Sequence, residues 1–225
     1  MTLPDQSLWW LNRSTGLVLL VLFTLVVILG IFSTQRAAGR RIPTFVPNQL
    51  HRTISLFAVA LLIAHIVTAV LDDYVDIDWV DAVIPFASPY RPLWLGLGTV
   101  AVDLTIAVLV TSALKSRLSE RSWHMVHLFS YAAWLVAVLH GLGTGTDSRN
   151  VAVLAVYGMC VIAVAASLAA RLMWTQDISL PVLIVSLILT AVVPIVIAVW
   201  AFSGPLAPGW AVKAGTPSST SETGQ

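Results

Sequence analysis

Five histidines, His51, His65, His124, His127 and His140, interrupt apolar stretches of a 225-residue chain. His51 and His65 stand 14 positions apart and His127 and His140 stand 13 apart. On a helix rising about 1.5 Å per residue, either spacing corresponds to roughly 20 Å. Imidazole is a good ligand for iron. If the helices holding the two pairs run in the same direction, His51 lies opposite His127 at one depth and His65 opposite His140 at another. Each depth then fits a planar macrocycle whose iron takes two axial imidazoles, and two such haems form a path for single electrons. A step of 13 residues leaves the two rings about 140° apart around a helix axis. The helix holding His127 and His140 must therefore be tilted or distorted, or present its rings from different flanks. His124, one turn before His127 and beside Trp123, reads as an interfacial or propionate contact rather than a ligand.

The elements that must hold these rings follow from composition. The chain is 58% hydrophobic and 10% charged, against about 25% charged in soluble domains, so a soluble fold is excluded. Apolar runs at Gly16–Phe32, Thr53–Leu71, Leu93–Leu114, Trp123–Leu142, Val151–Leu172 and Leu180–Phe202 are long enough, or nearly so, to cross a bilayer. None shows the alternation of a β-barrel strand. The expectation is an all-α integral membrane six-helix bundle over residues 1–203, with haem sites between the second and fourth helices. A Gly-, Pro-, Ser- and Thr-rich tail over 204–225 is expected to be disordered.

Basic residues set the orientation. Arg36, Arg40, Arg41, Arg52, Lys115, Arg117, Arg121 and Arg171 fall on one side, and Asp72, Asp73, Asp76, Asp78, Asp81 and Asp147 gather on the other. Positive loops stay in the cytoplasm, so the expectation is a multi-pass protein of the cytoplasmic membrane with both termini outside. The first apolar run lacks a small-residue cleavage site and reads as a retained span. A formal net charge of +1 from scattered residues argues against a nucleic-acid partner. A single cysteine, Cys160, excludes an internal disulfide, covalent haem attachment through CxxCH and a cysteine-ligated cluster.

Four further features bear on the cofactor. Trp134 follows His127 by seven positions, two turns along nearly the same face, which places its ring between the two depths. Asp103 lies about 15 Å from its helix end and reads either as a partner of a ligand imidazole or water, or as an interhelical hydrogen bond. Arg52, next to His51, is the best-placed inner cation for a haem propionate, with Arg91 and Arg149 as outer candidates. The acidic loop Asp72–Asp81 reads as a solvated loop, with the docking of a ferric substrate as its functional alternative.

The stretch Arg121-Ser-Trp-His-Met-Val-His127-Leu-Phe-Ser-Tyr131 followed by His140 resembles the Trp-x-x-x-His…Tyr…His helix of ferric-reductase-like transmembrane proteins. That superfamily includes ferric reductases, NADPH oxidases and the haem membrane subunit of methionine-sulfoxide reductase systems. The resemblance covers about Gly16–Leu172 and implies two non-covalent b-type haems on the matching histidines. It departs from the oxidases and eukaryotic reductases in having another helix where their flavin domain begins, and no His-Pro-Phe motif. Gly141-x-Gly143-x-Gly145 follows a helix and reads as a turn rather than a nucleotide fingerprint. The resemblance therefore implies the membrane haem subunit of an oxidoreductase. FAD or FMN would sit on a partner flavoprotein, or a quinol would supply the electrons. The competing expectation is a haem-free proton or metal-ion transporter, or a membrane scaffold, built on the same histidines and Asp103.

Overall fold

The computed structural model describes residues 7–33, 45–73, 75–175 and 178–216. Six long helices carry the chain: α1 (Ser7–Ser33), α2 (Phe45–Val70), α4 (Pro92–Ala113), α5 (Glu120–Thr144), α6 (Val151–Trp174) and α7 (Leu180–Ser203). Two short helices, α3 (Trp79–Val83) and α8 (Trp210–Lys213), and a 3₁₀ turn at Lys115–Arg117 complete the described elements. All six long helices have the length and hydropathy to cross a membrane, with backbone hydrogen bonds made within each segment except where Pro194 inside α7 lacks an N–H.

Every expected span is present, and the first two begin earlier than their apolar runs. α1 extends over Trp9, Trp10, Asn12 and Arg13, and α2 over Phe45, Asn48 and His51. Aromatic and polar residues of this kind sit at membrane interfaces, and Pro47 is tolerated in a first turn. Hydropathy therefore marks the hydrocarbon portion of each helix and misses its wet end. The end of the molecule holding the 3₁₀ turn is called here the basic end, and the one holding α3 the acidic end. Arg36, Arg40 and Arg41, used in the orientation argument, lie outside the described residues, as does Tyr74.

α1 and α5 form the middle of the assembly and pack on each other. One side of the pair meets α6 and α7 in a core of Leu20, Val27, Ile31, Trp134, Val138, Leu142, Cys160, Val164 and Ile197. On the other side α2 lies against α1 and α4 against α5, and the space among these four helices stays open.

Residues 204–216 lie within the segment expected from composition to be a disordered tail, and they fold back on the acidic end; 217–225 lie outside the described residues. The Trp210 ring centroid lies 5.2 Å from that of Trp94 and 6.2 Å from that of Trp200, which are themselves 4.9 Å apart, and its Nε1 donates to Gly143 O at 2.9 Å. Arg91 holds this strap in place. It is 2% exposed with φ 43°, its backbone N–H donates to Gly215 O and its Nε to Thr216 Oγ1 at 2.9 Å. Its Nη1 donates to Gly143 O at 3.0 Å and Thr144 O at 2.9 Å. These are the last carbonyls of α5, which lack intrahelical donors and sit at the negative end of the helix dipole. Burial lowers the Arg91 pKa from its ordinary value, while the neighbouring Tyr90 opposes the shift. Its guanidinium is thus committed to the backbone rather than to a propionate.

Arg91→Leu is expected to cost about 3 kcal/mol, because charged hydrogen bonds contribute about 1.5–3 kcal/mol each and the α5 carbonyls lose their donors. Arg149→Leu, which removes one exposed bond to Leu206 O, should stay within about 0.5 kcal/mol. Thermal unfolding of both variants in one detergent checks the difference.

Candidate functional site: a cavity lined by histidines

The space among α1, α2, α4 and α5 is a cavity of about 1450 Å³, larger than the roughly 300–1,000 Å³ of a typical small-molecule site. His51, His65, His127 and His140 all line it. The 13-residue step on α5 therefore does not turn either ring out of the shared space. His51 and His127 meet at the basic end with ring centroids 6.3 Å apart and planes inclined by 61°. His65 and His140 occupy the acidic end.

Every ring is held at Nδ1. His51 Nδ1 donates to Val26 O at 2.9 Å and His140 Nδ1 to Trp94 O at 2.8 Å. His65 Nδ1 reaches Asn12 O at 3.2 Å and Thr15 Oγ1 at 3.1 Å; Thr15 bonds the Leu11 and Asn12 carbonyls. His127 Nδ1 lies 3.5 Å from Ser112 Oγ, at the limit of a hydrogen bond. A carbonyl only accepts, so the three rings bonded to carbonyls carry their proton on Nδ1 and keep Nε2 as a bare lone pair. A second contact of this kind fixes tautomer and ring orientation in metal-ligating histidines.

Val26, Asn12 and Trp94 sit inside helices, where each carbonyl already accepts a backbone N–H. What opens them to a second donor is the residue four positions on: Gly30, Gly16 and Gly98. A Cβ on Gly98 would stand 2.5 Å from His140 Nδ1, one on Gly16 3.1 Å from His65 Cε1 and one on Gly30 3.3 Å from His51 Cε1. The glycines thus let an imidazole from the adjacent helix lie against the backbone. α1 and α2 run antiparallel, so the 14-residue step from Gly16 to Gly30 matches the 14-residue step from His51 to His65. On α4 the step from Gly98 to Ser112 is also 14, and a serine hydroxyl stands where the other three sites have a glycine.

The two ends of the cavity differ. At the basic end Arg52, Lys115, His124, Arg171 and Trp123 line it. Lys115 Nζ lies 4.0 Å from the Trp123 ring centroid, and Trp123 stacks on His127 at 4.8 Å and 24°. His124 is exposed and its Nδ1 bonds Glu120 O of its own helix at 2.7 Å. At the acidic end the lining includes Asn12, Arg13, Asp147, Asp72, Asp81 and Tyr90, with Arg13 Nε donating to Asp147 Oδ2 at 2.9 Å. Arg13, absent from the sequence reasoning about propionates, is the cation that lines the cavity here. Two buried polar atoms of lining residues have no hydrogen-bond partner, Asn12 Oδ1 at the acidic end and Trp123 Nε1 at the basic end.

Three expected residues fall as follows. Trp134 is buried at the cavity wall between the two levels, and its Nε1 donates to Thr24 Oγ1 at 3.0 Å. Arg52 lines the basic end. Among the described residues nothing bonds Asp103 in either of the ways considered for it: the side chain is exposed on α4 and outside the cavity lining, because it lies about 200° around the helix from Ala101 and Thr105, which do line it. The acidic loop is partly structural. Asp81 Oδ2 accepts the Asp78 N–H at 3.0 Å at the start of α3, and Asp81 O accepts Thr99 Oγ1 at 2.8 Å. Among the described residues no three His, Cys, Asp or Glu side chains converge on a common metal position.

Gly98→Ala is expected to destabilise by about 1–3 kcal/mol, since a methyl there overpacks against His140, with smaller losses at Gly16→Ala and Gly30→Ala. Gly158→Ala on α6, where a Cβ meets nothing within 4 Å, should be neutral or stabilising by up to about 1 kcal/mol. Thermal unfolding of the four variants checks this order.

A family model described as a domain of unknown function (DUF8596) matches residues 7–147. No curated protein and no solved structure matches the chain. The matched stretch runs from α1 through α5 into the loop that follows, so it contains all four cavity histidines and the glycines that face three of them. It covers well over half of the sequence, and the chain belongs to the DUF8596 family.

Proposed function

We propose that the cavity holds two b-type haems and that the protein transfers electrons between the two faces of the cytoplasmic membrane, as the membrane haem subunit of an oxidoreductase. The observation that carries this reading is the pairing of four cavity-lining imidazoles, three of which donate their Nδ1–H to a backbone carbonyl and therefore present Nε2. Two imidazoles are too few for a bare ion, which takes four or more ligands. They complete the coordination of a metal that arrives inside a macrocycle. The 6.3 Å separation of the His51 and His127 centroids also agrees with a metal about 2 Å from each of two facing nitrogens.

The residues would divide the work by position. His51 and His127 hold one group, and His65 and His140 the other. The unpartnered Trp123 Nε1 and Asn12 Oδ1, the latter interchangeable with Nδ2 by an amide flip, and the cations Arg52, Lys115 and Arg13 meet polar substituents at the two rims. Trp134, tied to Thr24, keeps an aromatic ring fixed between the levels. The surrounding apolar walls exclude water and disfavour charge change on the imidazoles. A bound haem supplies one-electron chemistry that no side chain here provides. Electrons would come from or go to a partner flavoprotein carrying FAD or FMN, a membrane quinol, or a ferric acceptor, and membrane lipid surrounds the helices.

A reduced-minus-oxidised visible spectrum of protein purified from haem-replete cells should show b-type bands and two haems per chain. Replacing His51, His65, His127 or His140 by alanine should remove about half of the haem or convert one centre to high spin, while His124→Ala should retain both. A colourless wild-type preparation would leave the haem-free transporter or scaffold as the better reading.

A further inference from the structure

Asp103 lies 11 positions from Pro92 and 10 from Ala113 on α4, about 15 Å from either helix end and so at the middle of a hydrocarbon core about 30 Å thick. It is exposed, and no ion pair or hydrogen bond from the described residues reaches it. An acid at this depth costs about 2.5–3.5 kcal/mol on insertion scales and ordinarily faces a protein interior. Its side chain is too short to reach either interface, as a lysine or arginine does by snorkelling.

The face around it is half covered. Towards the acidic end, the loop and α3 close over α4: Thr99 donates to Asp81 O and Gly96 lies under Phe86. Towards the basic end, Ile106, Val110 and Leu114 continue the Asp103 face and are 43–52% exposed. Exposed apolar residues alone only describe a lipid-facing helix. The carboxylate at the top of the row is what lipid does not accommodate.

From this placement we propose that the Asp103–Leu114 face of α4 docks a transmembrane helix of another protein that carries a lysine or arginine at mid-bilayer depth. The charge inventory argues against a second copy of this chain. All twelve Lys and Arg lie outside the spans or within about two turns of a helix end, so a copy brings a carboxylate but no cation to that depth. The docking face is on the opposite side of α4 from the cavity, and its occupant is independent of what the cavity holds.

The test uses the full chain, labelled at its terminus, in phosphatidylcholine vesicles. The probes are two labelled leucine-rich transmembrane peptides identical except for a central lysine or leucine. Energy transfer should show the lysine peptide associating about tenfold more strongly, the equivalent of about 1.4 kcal/mol for an interhelical polar contact. Asp103→Asn should reduce that preference to within about twofold, and Asp103→Glu should keep most of it. Equal association of the two peptides with the wild type, or an unchanged preference in Asp103→Asn, would overturn the proposal. So would efficient disulfide-linked homodimers of Asp103→Cys in a Cys160→Ala background, which would assign the face to a second copy.

Discussion

An imidazole placed among apolar helices has to give its N–H to an acceptor, and in a bilayer the nearest acceptors are helix carbonyls already in use. Such a carbonyl takes a second donor only if the side chain that would shield it is missing. The chain meets this condition with a glycine four residues beyond the accepting carbonyl, at Gly16, Gly30 and Gly98. Much of the architecture of α1, α2, α4 and α5 follows from that geometry. α1 must lie close against α2, and α4 against α5, for the rings to reach the backbone. Once those contacts are made, the two pairs are wedged apart on their far sides and a cavity opens between them.

The same contact assigns separate tasks to the two faces of α1 and α5. Their cavity faces set Asn12, His127, His140 and the glycines Gly16 and Gly30 among apolar side chains such as Leu17, Phe23 and Leu128. Their opposite faces carry Ile31, Val138 and Leu142 against α6 and α7, while Leu20 and Val27 belong to the core and also reach the cavity. Trp134 bridges both regions, with its ring in the core and its Nε1 on Thr24. Helix packing in a membrane gains little from apolar contact, because lipid is equally apolar. Small residues and interhelical hydrogen bonds must hold the cavity side together, while tight packing holds the other. The match of the family model to residues 7–147 coincides with this division: the cavity helices lie within it, and α6 and α7, which complete the core, lie beyond.

The six spans were legible because sustained hydropathy is a strong signal, and the four cavity histidines because polar rings stand out against it. The glycines were not, although their 14-residue step was visible, since a glycine in an apolar run carries no chemistry until the neighbouring helix and its register are known. Asp103 shows the limit from the other side. Its depth was legible and its direction was not, because α4 is apolar on nearly every face and periodicity cannot tell which side turns to the cavity. Its place near a helix end makes Arg91 one of two outer candidates for a propionate contact. Its actual acceptors, at Gly143, Thr144 and Thr216, belong to distant parts of the chain that only the fold brings together. The folding back of 204–216 is hidden for a similar reason, since composition gives no hint that Trp210 finds a site on Trp94 and Trp200.

The two levels of the cavity are related by register but are not equivalent. At the acidic end His140 is bound to a carbonyl of Trp94, whose ring packs on Trp210 of the strap that Arg91 holds down. That ring is thereby coupled to α8 and the last described residues, and its position depends on contacts made far along the sequence. At the basic end His127 has no glycine-exposed carbonyl. Ser112 offers a hydroxyl at 3.5 Å, and the ring is held instead by Trp123 stacked on one side, with Lys115 over the indole. A hydroxyl can donate as well as accept, so unlike the other three positions this one does not impose a single tautomer on the imidazole. The basic end is thus the level at which the imidazoles are less rigidly held, and it lies beside the cationic side chains Arg52, Lys115 and Arg171. Any molecule reaching the cavity from that end meets a cationic rim and a stacked aromatic pair, whereas one approaching from the acidic end meets Asp81 and Ala82 of α3, Tyr90 and the Arg13–Asp147 ion pair.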